Sequence, residues 1–206
     1  LGHAGGGGLP SGHTQNAVVI WGYLATRCRK TIGWLIAGFL MIGIPLSRIY
    51  LGVHFPTDLL GGYILGALIL MLFLWIVPRV EKWLVQKGFA LQLVLALVLP
   101  IILIVLNPAG NPYVLSMIAV LMGVCVGFVL ERRFMRFSSQ GVLWKRAIRY
   151  LLGVSILFGL WGGLRIAFST MEPMALLRFI RYLLVGLWGS LGAPWLFVRL
   201  KLAGRE

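Results

Sequence analysis

The stretch TDLLGGYILGALILMLFLWIV, residues 57–77, decides the fold class of this chain. Its one charged residue, Asp58, stands at the start, and the rest is almost entirely apolar or glycine. Coiled into an α-helix, the stretch would be roughly 30 Å long, which matches the hydrocarbon core of a bilayer. This length and composition are typical of a membrane-spanning helix.

Similar apolar segments continue on both sides of this stretch. The 206 residues are 60% hydrophobic and 12% charged, whereas a soluble domain is about 25% charged. These numbers exclude a disordered chain, a coiled coil and a secreted disulfide scaffold. The apolar segments lie at 12–27, 32–46, 57–77, 89–106, 113–130, 147–169 and 174–198. We therefore predict an all-α, polytopic transmembrane helical bundle of about seven spans.

The basic residues are distributed unevenly between the connections. If every segment crosses, one side receives 15 of the 19 lysines and arginines, and the positive-inside rule makes that side cytoplasmic. The other side, which we expect to face the periplasm or exterior, keeps Arg48, Arg165, Arg178 and Arg181. The last three are predicted to pair with Glu172 or to bind an anionic headgroup. No basic stretch is interleaved with solvent-facing aromatic residues, so no nucleic-acid partner is expected.

The first candidate site is Pro10-Ser11-Gly12-His13, between a run of glycines and the first apolar segment. Serine is a favoured helix N-cap, and the free N–H groups of a helix N-terminus suit a phosphate. Gly12 would allow the backbone to approach a ligand closely. The alternative is an ordinary helix start with a histidine nearby, and this segment alone does not decide between them.

The second candidate site is Ser47-Arg48-Ile49-Tyr50-Leu51-Gly52-Val53-His54-Phe55-Pro56-Thr57-Asp58. The planar guanidinium of Arg48 matches phosphate oxygens. Pro56 favours the first turn of a helix, which would direct Asp58 back toward His54. A carboxylate there can hold one imidazole nitrogen protonated and leave the other free as nucleophile or base. The alternative is a helix-capping aspartate beside a loop histidine.

Together the two segments resemble the type 2 phosphatidic acid phosphatase (PAP2) superfamily of lipid phosphatases. Its second motif is Pro-Ser-Gly-His and its third is Ser-Arg-x5-His-x3-Asp, and every fixed position of both is matched in order. The resemblance covers roughly residues 5–78, which correspond to the C-terminal half of the family's catalytic core. The first motif, Lys-x6-Arg-Pro, has no match in residues 1–9, and we expect the natural protein to continue upstream with it. His3 has no counterpart in these motifs and is predicted to lie in a loop.

The resemblance implies a role for each matched residue. His54 would attack phosphorus and form a phosphohistidine, Asp58 would orient it, and His13 would protonate the leaving oxygen. The phosphoryl oxygens would be bound by Arg48, Ser11, Gly12 and Ser47. The implied activity is metal-independent hydrolysis of a lipid phosphate or diphosphate monoester at the outer leaflet, with no cofactor. A lipid phosphotransferase and a catalytically inactive membrane scaffold or transporter remain open as alternatives.

The chain is predicted to have two parts. Residues 1–78 would form the motif-bearing half of a catalytic core, and residues 79–206 a four-helix transmembrane extension. We expect an integral protein of a bacterial cytoplasmic membrane whose partners are the bilayer and a lipid phosphate; the oligomeric state is not predicted. Cys28 and Cys125 have no metal-binding spacing and are predicted to be free thiols.

Overall fold

A computed structural model describes residues 8–28, 30–107, 110–169 and 174–205. His3 and Glu172, which the sequence analysis singled out, lie outside these ranges. Within them the chain is α-helical and contains no β-strand, as predicted. The helices are α1 (Gly12–Cys28), α2 (Thr31–Tyr50), α3 (Pro56–Val85), α4 (Phe89–Val105), α5 (Pro112–Phe134), α6 (Leu143–Ala167), α7 (Ala175–Leu187) and α8 (Ala193–Arg199). A π-helical turn, Trp188–Gly192, joins α7 to α8.

Five helical segments in the described ranges are long and apolar enough to cross a membrane. They are α2, α3, α5, α6 and the continuous segment Ala175–Arg199. Helix α4 is apolar but has only 17 residues. The helices occur where the sequence predicts them, and a count of seven crossings stays a prediction.

Two helices extend further at their C-terminal ends than the apolar segments predicted for them, 32–46 and 57–77. Helix α2 runs beyond Pro45 to Tyr50, and α3 beyond Pro78 to Val85. The prediction that Ser47 and Arg48 lie in a loop is therefore wrong, since both belong to the last turn of α2. An internal proline frees one carbonyl, and a membrane helix tolerates this where another donor is near.

The chain divides into two compact units, residues 1–86 and 87–206. The division falls after the end of α3, later than the boundary predicted at residue 78. Unit 1 contains α1, α2 and α3, and unit 2 contains the remaining helices.

In unit 1, α1 and α3 run parallel and in close contact. A Cβ atom on Gly62 would lie 2.7 Å from the carbonyl oxygen of Ser11, and one on Gly66 would lie 2.9 Å from the Cβ of Val18. Further along, the rings of Tyr23 and Phe73 pack edge to face, 5.2 Å between centroids. Small residues four apart let two helix backbones approach closely. The N-terminal ends of α1 and α3 therefore lie side by side.

In unit 2, the closest helix crossing joins α5 to α7 at a pair of glycines. A Cβ atom on Gly123 would lie 2.3 Å from the carbonyl oxygen of Leu183, and one on Gly186 would lie 2.4 Å from that of Val120. Ser190, within the π-helical turn, donates hydrogen bonds to the carbonyls of Gly123 and Gly186, at 3.3 and 2.9 Å. The backbones of the two helices are in contact at this crossing, and a side chain larger than glycine at either position would block that contact.

Candidate active site

The C-terminal end of α2 turns the chain toward His54. The N–H of Gly52 donates to the carbonyl of Ile49 at 2.8 Å, and the N–H of Val53 donates to that of Arg48 at 3.1 Å. Gly52 has φ +67°, so this is a Schellman motif with glycine at its left-handed position. The five residues between the motif arginine, Arg48, and the motif histidine, His54, form this turn.

The N-terminal turn of α3 fixes Asp58 against His54. Pro56 is the first helical residue, and Asp58, two positions later, accepts the backbone N–H of Phe55 on Oδ2 at 2.9 Å. The same oxygen lies 3.3 Å from Nδ1 of His54. The carboxylate is thus held by a backbone donor independently of the imidazole, and the predicted His54–Asp58 pairing is present.

The N-terminal end of α1 is joined to this pair through the backbone. The N–H of Ser11 donates to the carbonyl of Asp58 at 2.9 Å, which connects the two sequence motifs directly. A Cβ atom on Gly8 would lie 3.2 Å from Oδ2 of Asp58, so the backbone at Gly8 lies against the carboxylate. A Cβ atom on Gly12 would meet nothing within 4 Å among the described residues, so this side of the helix end is open.

Ser11 is fully buried, and its hydroxyl acts as the N-cap of α1. Its Oγ accepts the N–H of Thr14 at 3.5 Å, which is a long contact for a cap. A hydroxyl that accepts one hydrogen bond still carries a donor of its own. The role predicted for Ser11 toward phosphate therefore depends on that remaining donor.

Arg48 is half-buried on the last turn of α2 and is held by its neighbour. Its Nε donates to Oγ of Ser47 at 3.2 Å, and that hydroxyl donates to the carbonyl of Ile44 at 2.6 Å. Among the described residues, no hydrogen-bond partner is found for the two terminal nitrogens of Arg48. Ser47 thus orients the guanidinium, and the nitrogens that match phosphate oxygens stay available.

The structure does not join every predicted residue by direct contact. His13 is exposed on the first turn of α1. Within the described ranges, neither His13 nor Arg48 forms a hydrogen bond or ion pair with His54 or Asp58. Both lie at the end of unit 1 where α1 and α3 begin and α2 finishes. Their convergence on one phosphoryl group stays a prediction.

One supporting residue, Tyr63, was missed by the sequence analysis. Pro45 lacks the N–H that would otherwise bond the carbonyl of Met41, four residues earlier in α2. The hydroxyl of Tyr63 donates to that same carbonyl at 2.7 Å, so α3 completes the hydrogen bonding of α2. Pro45 lies inside the predicted segment 32–46, so the sequence already indicates that one carbonyl of this helix needs a hydrogen-bond donor from elsewhere.

No group of three or more histidine, cysteine, aspartate and glutamate side chains that could hold a metal ion is found in the described ranges. Cys28 and Cys125 are free thiols, as predicted. The predicted independence from metal is a matter for experiment.

Comparison with known proteins supplies the family. The sequence profile described as the PAP2 superfamily matches residues 2–82, which include the whole candidate site. A second profile, described as PAP2 superfamily phosphatase, transmembrane extension, matches residues 115–205. The chain belongs to the PAP2 superfamily. With its apolar helices, this PAP2 chain is a membrane protein.

Curated relatives match the part of this PAP2 chain that carries the site. Phosphatidylglycerophosphatase B of Bacillus subtilis is 38% identical over 73 residues, covering 31% of this chain and 36% of that protein. Undecaprenyl-diphosphatase BcrC of the same organism is 40% identical over 72 residues, covering 34% and 36%. Lipid phosphate phosphatase delta of Arabidopsis thaliana is 32% identical over 90 residues, covering 39% and 22%.

The matched stretch therefore spans only about a third of the length of these relatives, or less. No solved structure matches the chain significantly. The comparisons support the family and leave the choice of substrate to the chemistry of the site.

Proposed function

We propose that this PAP2 chain is the catalytic part of an integral membrane phosphatase that hydrolyses a lipid phosphate or diphosphate monoester through a phosphohistidine at His54. The observation that carries the proposal is the contact of His54 Nδ1 with the Asp58 carboxylate, 3.3 Å. The backbone carbonyl of Asp58 also accepts the N–H of Ser11. The nucleophile His54 and the N-terminal turn of α1, which is proposed to bind phosphate, are thereby joined by hydrogen bonds through Asp58.

In the first step, the free Nε2 of His54 attacks phosphorus while the bond to the lipid oxygen breaks. Asp58 accepts a hydrogen bond from the Nδ1 proton, which stays on the ring, and stabilises the positive charge that develops there. The contact is long for a charge-assisted hydrogen bond, as catalytic contacts often are before substrate binds. His13 donates a proton to the departing oxygen, which leaves as the lipid alcohol or monophosphate.

In the second step, water attacks the phosphorus of phosphohistidine, and His13 accepts its proton. The phosphorus–nitrogen bond breaks, inorganic phosphate leaves, and His54 is restored. Charge on the equatorial oxygens is stabilised by the terminal nitrogens of Arg48 and by the free N–H groups at Gly12 and His13. Ser47 acts as a positioning residue, since its hydroxyl is occupied by Arg48 and Ile44.

The surroundings of the site favour a lipid substrate over a soluble phosphate ester. Exposed apolar side chains flank His54 on both sequence sides, with Tyr50 92% and Phe55 75% exposed. Leu9, beside the start of α1, is 64% exposed. Aromatic residues at such a position are typical of the membrane–water interface. A substrate whose chain lies in the bilayer could present its phosphate at this level.

We assign the site to the outer leaflet of a bacterial membrane. In unit 1, Arg27 and Lys82 lie in the last turns of α1 and α3, at the end opposite His54. The positive-inside rule makes that basic end cytoplasmic. Matches to Bacillus proteins support a bacterial origin.

The test is phosphate release by the purified full-length protein in detergent, with phosphatidic acid, phosphatidylglycerol phosphate and undecaprenyl diphosphate as substrates. His54→Ala should abolish release, and the neighbouring control Thr57→Ala should leave it unchanged. Asp58→Asn keeps an oxygen for the Phe55 N–H but loses the charge, and should lower kcat on the order of a hundredfold or more. Unaltered release by His54→Ala would refute the mechanism.

A labelling experiment separates this proposal from its alternatives. Brief incubation with substrate carrying ³²P should leave acid-labile, alkali-stable label on His54, and none on the His54→Ala chain. Label that passes to an added alcohol rather than to water would identify a phosphotransferase. A chain that neither releases phosphate nor takes up label would instead be an inactive scaffold.

A further inference from the structure

A second candidate site lies in unit 2, at the end where α5 finishes and α6 begins. The C-terminal residues fold back onto the α5–α6 connection: the N–H of Ser138 donates to the carbonyl of Gly204 at 3.0 Å. Between the two segments is a cavity of about 430 Å³. It is lined by Gln140, Gly141, Val142, Lys145, Val198, Lys201, Leu202, Ala203 and Gly204. Both charged residues of this lining are lysines.

The walls of this cavity are held by a buried arginine. Arg149 is 6% exposed and donates to the carbonyls of Ser138, Ser139 and Gln140, at 3.3, 3.0 and 3.3 Å. Its guanidinium also lies 5.5 Å from the ring centroid of Phe137. These contacts of Arg149 hold in place the connection that forms one wall of the cavity.

The positive charge around the cavity is poorly compensated. In residues 110–169 and 174–205, which the structure describes in this part of unit 2, the only acid is Glu131. Its carboxylate accepts the N–H of Phe137 at 2.6 Å. The basic residues of this end are Arg132, Arg133, Arg136, Lys145, Arg146, Arg149, Arg199, Lys201 and Arg205. An anion would relieve their mutual repulsion.

Lys201 occupies a backbone conformation that favours glycine. It has φ +55° and stands at the left-handed position of a Schellman motif that ends α8, in which Leu202 N–H donates to Phe197 O at 2.9 Å. Arg136, after the end of α5, is the other non-glycine residue with positive φ in the described chain, at 48°. A side chain is disfavoured here relative to glycine, so glycine could replace either residue without backbone strain.

Lys145 also stands where a cation is disfavoured. It lies in the first turn of α6, which has no acidic residue and no side-chain cap. The partial positive charge of a helix N-terminus repels an ammonium group. Its Nζ donates to the carbonyl of Lys201 at 3.1 Å, which brings the two lysines together at the cavity. A bound anion would convert this repulsion into attraction for both lysines and the helix end.

Two exposed tryptophans lie beside the cations at this end of unit 2. Trp144 and Trp195 are 58% and 45% exposed, and tryptophan is enriched at membrane–water interfaces. Lys145 Nζ lies 5.6 Å from the Trp144 ring, and the Arg199 guanidinium 5.2 Å from the Trp195 ring. The cations are therefore at headgroup height, where the available anion is a phospholipid phosphate.

We propose that this cavity binds the phosphodiester headgroup of an anionic phospholipid, with the ammonium groups of Lys145 and Lys201 as its ligands. The site is separate from His54 and requires no turnover. It anchors unit 2 to the leaflet on its basic side, which the positive-inside rule makes the cytoplasmic leaflet.

The test measures the thermal stability of the full chain in neutral detergent during titration with dioleoyl phosphatidylglycerol. A ligand that binds the folded chain raises Tm as its concentration rises. Phosphatidylglycerol should raise Tm in a saturable way, and phosphatidylcholine and inorganic phosphate should not. Lys201→Gly removes the cation and relieves the backbone strain, so this variant should fold well and lose the rise. Lys145→Gln should weaken it.

Arg136→Gly is the matched control. It removes a cation of the same face from the same strained conformation, but Arg136 does not line the cavity. It should keep the full phosphatidylglycerol effect, and so should His54→Ala. An equal loss in Arg136→Gly and Lys201→Gly would reduce the effect to general surface charge and overturn the proposal. An equal rise with inorganic phosphate would overturn the assignment to a lipid.

Discussion

At the scale of single residues, Pro45 and Tyr63 show how a distant pair supports the site. Pro45 is fully buried three residues before Arg48, and the Met41 carbonyl that it leaves unpaired accepts a hydrogen bond from the Tyr63 hydroxyl of α3. The last turn of α2, which carries Ser47 and Arg48, is therefore positioned by α3. The same α3 carries Asp58, so one helix holds both the carboxylate and the turn that bears the guanidinium.

Tyr63→Phe should destabilise the chain by about 1–2 kcal/mol, because it leaves the Met41 carbonyl without a donor. In a Pro45→Ala background the residue at 45 regains its N–H, and Tyr63→Phe should then cost close to nothing. Reversible unfolding of the four chains in mixed detergent–SDS micelles measures the difference. The same cost in both backgrounds would show that the Tyr63 hydroxyl has no special relation to Pro45.

The sequence predicted the local pairing of His54 with Asp58 because the pairing depends on short-range chemistry. Pro56 starts a helix, which places the carboxylate two residues later in its first turn. The hydrogen bond from Ser11 N–H to Asp58 O could not be read in this way, because it joins positions far apart in the chain. Its geometry depends on how α1 packs against α3.

At the scale of helices, the contact of α1 with α3 is set by glycine. The sequence Gly62-Tyr63-Ile64-Leu65-Gly66 contains two small residues four apart, a pattern that predicts close helix packing. The partner of that pattern was not predictable, and the structure supplies it in α1. The run Gly159, Gly162 and Gly163 in α6 has the same composition, yet Cβ atoms there would meet nothing within 4 Å among the described residues. Glycine spacing thus indicates the possibility of a contact without identifying it.

Gly62→Ala should lower both stability and turnover. Its new Cβ would lie 2.7 Å from Ser11 O and 2.7 Å from Thr14 Cβ, so α1 must move and carry His13 and Ser11 away from His54. Gly38→Ala in α2 is the control, since a Cβ there would meet nothing within 4 Å. It should be neutral or slightly stabilising because alanine favours a helix by about 1 kcal/mol over glycine. Phosphate release and Tm of both variants measure this, and equal effects would exclude a steric cause.

The helix ends show where sequence patterns were misleading. The sequence predicts that the third apolar segment ends at residue 77, immediately before Pro78. In the structure the Arg79 guanidinium donates to the carbonyl of Trp75 and lies over its ring, 4.4 Å from the centroid. Pro78 removes the N–H that would bond the carbonyl of Leu74, four residues earlier, and α3 nevertheless continues to Val85.

At the scale of the whole molecule, the distribution of charge is the property that relates each unit to the membrane. Each unit carries a basic end: Arg27 and Lys82 in unit 1, and the α5–α6 connection with the C-terminal residues in unit 2. The sequence analysis placed that connection and those terminal residues on one side, and the Ser138–Gly204 hydrogen bond shows that they do meet. The assignment of this basic side to the cytoplasm rests on the positive-inside rule and stays a prediction.

The orientation of unit 2 in the membrane can be measured by labelling one position at each end of a single helix. Helix α5 has 23 residues, roughly 35 Å of helix, with Tyr113 at its start and Ser139 in the connection after its end. In a chain whose two cysteines are replaced by serine, Tyr113→Cys should react with a membrane-impermeant maleimide added to intact cells. Ser139→Cys should react only after permeabilisation, because the basic end is retained in the cytoplasm. Both positions are exposed in the fold, so a failure to react reports the membrane rather than burial. Labelling of Ser139→Cys in intact cells would reverse the orientation of unit 2 and would move the proposed headgroup site to the outer leaflet.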